Sequence, residues 1–82
     1  MIFPVQIRAA RNLLGLSQDD LARRASIAVV TLKRLEAAGT EIRGSAQTMV
    51  RIQRALESAG IIFIDQNEQA GPGVRLRRPI SP

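Results

Sequence analysis

Apolar positions recur along most of this chain at the three-to-four-residue spacing of helices, then switch to alternation near the end. Pro4 suits a first helical turn, where a missing N–H costs nothing, and Gly15 suits the residue just past a helix end. Between them Ile7, Ala10, Arg11 and Leu14 share a face, while Arg8 and Asn12 point elsewhere. This predicts a first helix from Pro4 to Leu14. Leu16 then precedes Ser17, an N-cap candidate with Asp20 at the third helical position, and is placed to fold back as a hydrophobic staple. A second helix follows from Gln18 to about Ala25, with Leu21, Ala22 and Ala25 inward. Its Asp19 and Asp20 match the positive end of the helix dipole, and Arg23 and Arg24 the negative end. Ser26 and Ile27 interrupt the pattern. A third helix from about Val29 to Ala38, closed by Gly39, turns Leu32 and Leu35 inward.

After a loop in which Ile42 is expected to plug back into the core, Ser45 caps a fourth helix that ends at Gly60. Its core stripe is Met49, Ile52, Gln53 and Leu56, with Arg51 and Arg54 outside it. Ile61, Ile62, Phe63 and Ile64 are a β-branched, apolar run that reads as a strand. Gly71, Pro72 and Gly73 break the chain. Val74, Arg75, Leu76 and Arg77 alternate apolar and basic, so a second strand closes a hairpin. The fold class is therefore mainly α: four helices followed by a C-terminal β-hairpin. Residues 1–60 are expected to form a helix-turn-helix domain, 61–78 a hairpin, and 79–82 a disordered tail. An isolated hairpin is marginal in water, so this one must pack on the helices, pair with another subunit, or both. Ile61, Ile62, Phe63, Ile64, Val74 and Leu76 are the candidate dimer seam.

Composition narrows the chemistry. There is no cysteine and no histidine, which removes thiolate and imidazole metal ligands and histidine acid-base catalysis. No paired carboxylates or phosphate loop stand out, so no catalytic residue, metal or cofactor is expected. The longest apolar runs fall far short of a membrane span, and the N-terminus lacks the basic region of a signal peptide. A cytoplasmic location is the default. Net charge is +5, from 12 basic and 7 acidic residues, which favours a polyanionic partner.

Two short helices separated by a three-to-four-residue break outline a helix-turn-helix. The stretch SQDDLARRASIAVVTLKRLE resembles that of the phage repressor/Cro-like family, also called XRE, through Ser17, Gln18, Leu21, Ala22, Ser26, Ile27, Ala28, Thr31, Leu32 and Glu36. With the four-helix pattern the resemblance extends from about Gln6 to Ala59. It implies a sequence-specific regulator that binds double-stranded DNA as a homodimer on a near-palindromic operator. Gln18, after Ser17, matches a phosphate contact at a helix N-terminus. Val29, Val30, Thr31, Lys33 and Arg34 match groove-facing positions, where cations meet guanine and methyls meet thymine. Val29 as core and Lys33 as a solvated charge remain the plainer alternatives. Arg43 and Ser45 match backbone contacts after the third helix. Arg11 and Glu36 match an ion pair joining the first and third helices.

Two residues depart from the family pattern. The turn position that favours glycine holds Ser26, and the cap of the third helix is Ala28, unless Ser26 caps an earlier start. Arg75, Arg77 and Arg78 read as charge protecting a strand edge, with an arm reaching DNA as the other option. A protein partner is the competing function: the same fold serves antitoxins and adaptors, with the hairpin or tail as the binding edge.

Overall fold

The computed structural model describes residues 2–41 and 44–81; the expectations for Ile42 and Arg43 lie outside the described residues. Four helices precede one antiparallel hairpin: α1 (Pro4–Leu14), α2 (Gln18–Ala25), α3 (Val29–Ala37), α4 (Ala46–Ser58), β1 (Ile61–Ile64) and β2 (Gly73–Leu76). The architecture agrees with the mainly helical class expected from the residue pattern.

Local chemistry sets the helix ends. Ser17 Oγ accepts from the Asp20 N–H at 3.0 Å and Asp20 returns a carboxylate to the Ser17 N–H at 3.0 Å, a reciprocal capping box at the start of α2. Ser45 Oγ accepts from the Thr48 N–H at 3.1 Å at the start of α4. Gly15 stops α1 at φ 70°, letting the Leu16 N–H turn back to the Arg11 carbonyl at 3.0 Å. Ser26 performs the same turn after α2 at φ 57°, and the Ile27 N–H reaches the Ala22 carbonyl at 3.0 Å. A residue with a Cβ is strained in that left-handed conformation. Ser26 thus ends α2; it does not cap α3. Ala28 occupies that cap position, and no side chain satisfies the free N–H groups there. Gly44, at φ 87°, lies so close to Leu35 that a Cβ would come within 3.0 Å of its side chain.

One core takes residues from every helix. Ile7 and Ala10 of α1, Leu21, Ala22 and Ala25 of α2, Leu32 and Leu35 of α3, and Met49, Ile52 and Leu56 of α4 are buried together with Ile2 and Ile61. Gln53, expected on the core stripe of α4, is only half-buried and donates to Glu57 at 3.4 Å. The α3 helix is one residue shorter than expected, with Ala38 as its cap.

The hairpin pairs Ile61 with Leu76, Ile62 with Arg75, Phe63 with Val74, and Ile64 with Gly73. Successive side chains in a strand point to opposite faces. Ile61, Phe63, Val74 and Leu76 therefore turn toward the helical core, and Ile61 is fully buried there. Ile62 and Ile64 remain exposed on the other face. Of the six residues expected at a dimer seam, the inner four pack within their own chain, and Ile62 and Ile64 are the two left exposed.

Two polar contacts invisible to periodicity attach the hairpin. Buried Gln6 of α1 donates its amide to the carbonyls of Ile64 at 3.2 Å and Gly73 at 3.0 Å, while its oxygen accepts from the Phe3 N–H at 2.7 Å. At the other end the Arg77 N–H donates to the Gly60 carbonyl at 2.8 Å, and the Arg77 guanidinium donates to the Glu57 carbonyl at 2.6 Å. Arg77 thus neutralises the negative end of α4, a role different from both edge protection and a DNA arm. The second strand lies one residue earlier than the expected Val74–Arg77 span.

Candidate nucleic-acid interface

The outward face of α3 presents Val30, Lys33 and Arg34 as exposed side chains, with Thr31 half-exposed beside them. Val30 is 58% exposed, which is high for an aliphatic residue on a helix whose opposite face is core. Val29 differs from these. It is half-buried and packs against the core, so only part of its surface is accessible. The physical reason is helical spacing: Val29 lies three residues before buried Leu32 and seven before buried Glu36, on the face of α3 that meets the core.

A polar cluster holds α3 at its orientation. Glu36, with 4% of its side chain exposed, accepts from Arg11 Nε and Arg11 Nη2 at 2.9 Å each. This is the two-pronged geometry that matches a planar guanidinium to a carboxylate. Arg11 Nη1 also donates to the Leu16 carbonyl at 3.0 Å, and Gln18 donates to Glu36 Oε1 at 3.3 Å. The hydrogen bond to Glu36 holds the Arg11 guanidinium above its already high ordinary pKa, against the lowering effect of burial. One carboxylate therefore ties α1, α2 and α3 together.

Around this cluster lies a shallow depression of about 340 Å³, lined by Arg8, Arg11, Gln18, Lys33, Glu36 and Ala37. It sits at the N-terminal end of α2, where free N–H groups and the helix dipole favour an anion. Arg11 already neutralises Glu36, and Arg8 and Lys33, which form no ion pair among the described residues, add positive charge at its rim. Arg8 was expected to point elsewhere. Its proximity to Arg11, one helical turn away, is the signal that could have found it: a residue three positions from an ion-pair partner lies over the same edge.

The remaining candidates are arranged as follows. Ser17 is exposed, but its hydroxyl is engaged in the capping box. Gln18 is half-buried with its amide on Glu36. Ser45 is exposed at the N-terminus of α4, where its hydroxyl also donates to Thr48 Oγ1 at 2.9 Å. Asp20 beside Ser17 is held below the ordinary carboxylate pKa, first by the Ser17 N–H, then by the Ser17 side chain, with Arg23 and Arg24 adding smaller effects.

Two short helices at a tight turn, the second with an exposed basic and aliphatic face and flanked by helix N-termini, define a DNA-binding helix-turn-helix protein. Residues 7–58, more than half of the chain, match the helix-turn-helix family model of the XRE type, and the chain belongs to this family of DNA-binding regulators, which are generally not enzymes. No curated protein matches the chain. Among the described residues no helix is long and apolar enough to cross a membrane.

Proposed function

We propose that the protein is a sequence-specific regulator that binds a near-palindromic operator in double-stranded DNA as a homodimer, with α3 in the major groove. The observation that carries this reading is the α3 face itself: Val30, Lys33 and Arg34 stand free of the core while Glu36, two positions on, locks the helix to the rest of the domain. Arg34 and Lys33 donate to guanine edges, and the methyls of Val30, Thr31 and the accessible part of Val29 contact thymine. Gln18, Ser17, Ser45 and Arg43 hold the phosphate backbone on either side, and Arg8 joins them. Ile62 and Ile64, apolar and exposed on the outer hairpin face, support a symmetric contact with a second copy. Two α3 helices would then meet successive major grooves about 34 Å apart.

Selection of bound sequences from random duplex DNA tests this, with wild type and Arg34→Ala run side by side. A two-fold symmetric motif that degenerates at one position per half-site in the variant is expected. No enriched motif would remove sequence-specific recognition, and a motif unchanged by the substitution would remove Arg34 as a base reader. Light scattering behind size-exclusion chromatography tests the seam: Ile62→Lys with Ile64→Lys should convert a dimer to a monomer.

A further inference from the structure

Three arginines outside the α3 face converge on one cleft. Arg24 comes from the last turn of α2, and Arg51 and Arg54 from successive turns of α4. The cleft has a volume of about 580 Å³, and all three guanidinium side chains belong to exposed residues. No α3 residue lines it. Elsewhere Arg11, Arg23 and Arg77 each donate to an oxygen of their own chain at 3.2 Å or less. Among the described residues Arg51 reaches only the Ser26 carbonyl, at 3.4 Å, and Arg24 and Arg54 form no salt bridge, though Arg24 acts on Asp20 at longer range. Like charges gathered around one concavity raise its potential and favour an anion carrying several charges close together.

The remaining lining selects among such anions. Ser26 and Ser58 offer hydroxyl donors, and no carboxylate lines the cleft to hold a metal or repel a phosphate. Its apolar residues are Ala25 and Ala55 alone, with no large aliphatic or aromatic side chain to anchor an acidic peptide. It holds no aromatic ring on which a nucleobase could stack. What remains is a chain of phosphates recognised without its base. Ser26 has a further bearing: it keeps a hydroxyl at the cleft in a turn where glycine would be free of strain.

We propose that the Arg24, Arg51 and Arg54 cleft is a second anion site that binds an oligophosphate chain, either a free inorganic polyphosphate or the backbone of nucleic acid beyond the segment read by α3. The free-phosphate form stands independently of the operator reading, since it can be titrated without DNA, whereas the nucleic-acid form rests on that reading. Inorganic tripolyphosphate is titrated calorimetrically into the full chain at about 0.15 M salt. The comparison is between Arg51→Gln/Arg54→Gln and Arg75→Gln/Arg78→Gln, which removes the same charge elsewhere. A short and a long duplex of mixed sequence are titrated into the same three proteins.

The cleft variant is expected to lose about tenfold in affinity, the effect of two charge contacts, while the hairpin variant changes by about twofold or less. A loss confined to tripolyphosphate identifies the free polymer, and one confined to the long duplex identifies flanking backbone. Equal losses in the two variants would reduce the effect to net charge and overturn the site. So would a wild-type protein that ignores tripolyphosphate while its cleft variant binds both duplexes normally.

Discussion

Replacing Glu36 by alanine perturbs the polar cluster at its centre. The carboxylate accepts both prongs of Arg11 at 2.9 Å and the Gln18 amide at 3.3 Å, in a position where only 4% of the side chain is exposed. Arg11 itself is 15% exposed, so its charge cannot simply turn into water when its partner goes. Removing one member of a buried pair costs about 3–5 kcal/mol, and the Leu16 carbonyl, which still accepts from Arg11, argues for the lower end. For a domain of this size each kcal/mol is worth about 4–8 °C, so a loss of about 3 kcal/mol lowers Tm by about 12–24 °C. Urea and thermal unfolding followed by circular dichroism, with DNA absent, measures it. Arg11→Met combined with Glu36→Leu should recover more than half of the loss, because no unpaired buried charge then remains. A Glu36→Ala melt within about 5 °C of wild type would show that water already screens the pair, and would sink the reasoning.

Four smaller predictions follow from named contacts. Ser26→Gly relieves a left-handed residue and should stabilise the fold by about 1 kcal/mol in urea unfolding; a destabilised variant would mean that the Ser26 hydroxyl matters more than its φ of 57°. Gln6→Ala removes both amide bonds to the hairpin carbonyls, at a cost of about 1–3 kcal/mol, and should speed hydrogen exchange at the hairpin more than in α2; uniform acceleration would count against the clamp. Asp20 is held below its ordinary pKa, so its contribution is complete above the unfolded carboxylate value of about 3.9 and fades as pH falls through the lower folded value; Asp20→Asn should flatten that acid limb of the stability profile. Arg8→Ala should weaken DNA binding equally for all sequences and reduce the slope of log affinity against log salt by about 0.9, whereas an altered sequence motif would make Arg8 a base reader.

The helices were legible from the sequence because their determinants span three or four residues. Ser17 with Asp20, Ser45 with Thr48, and Gly15 after Leu14 each specify a helix end through partners within one turn. The apolar periodicity of Ile7, Leu21, Leu32 and Ile52 selected the buried faces in the same local way, and all four are fully buried. The exposed face of α3 followed as the complement of Leu32 and Leu35. Val29 does not belong to that complement, since it stands three residues before Leu32 and seven before Glu36, on the inward stripe, and packs against the core.

What only the tertiary structure decided involves partners far apart in sequence. Gln6 meets carbonyls 58 and 67 residues away, and Arg77 meets one 20 residues away; neither polar side chain carries any periodic mark of its role. Arg8, Gln18 and Lys33 share a depression, and Arg24, Arg51 and Arg54 share a cleft, only because α1 packs on α3 and α2 on α4. An apolar strand such as Ile61–Ile64 announces that it must be covered without saying by what, and the answer came from the helices on one face, with Ile62 and Ile64 left open on the other. Local hydrogen bonds and apolar spacing are written along the chain, whereas charge clusters and strand cover depend on how the helices cross, which no short stretch of residues encodes.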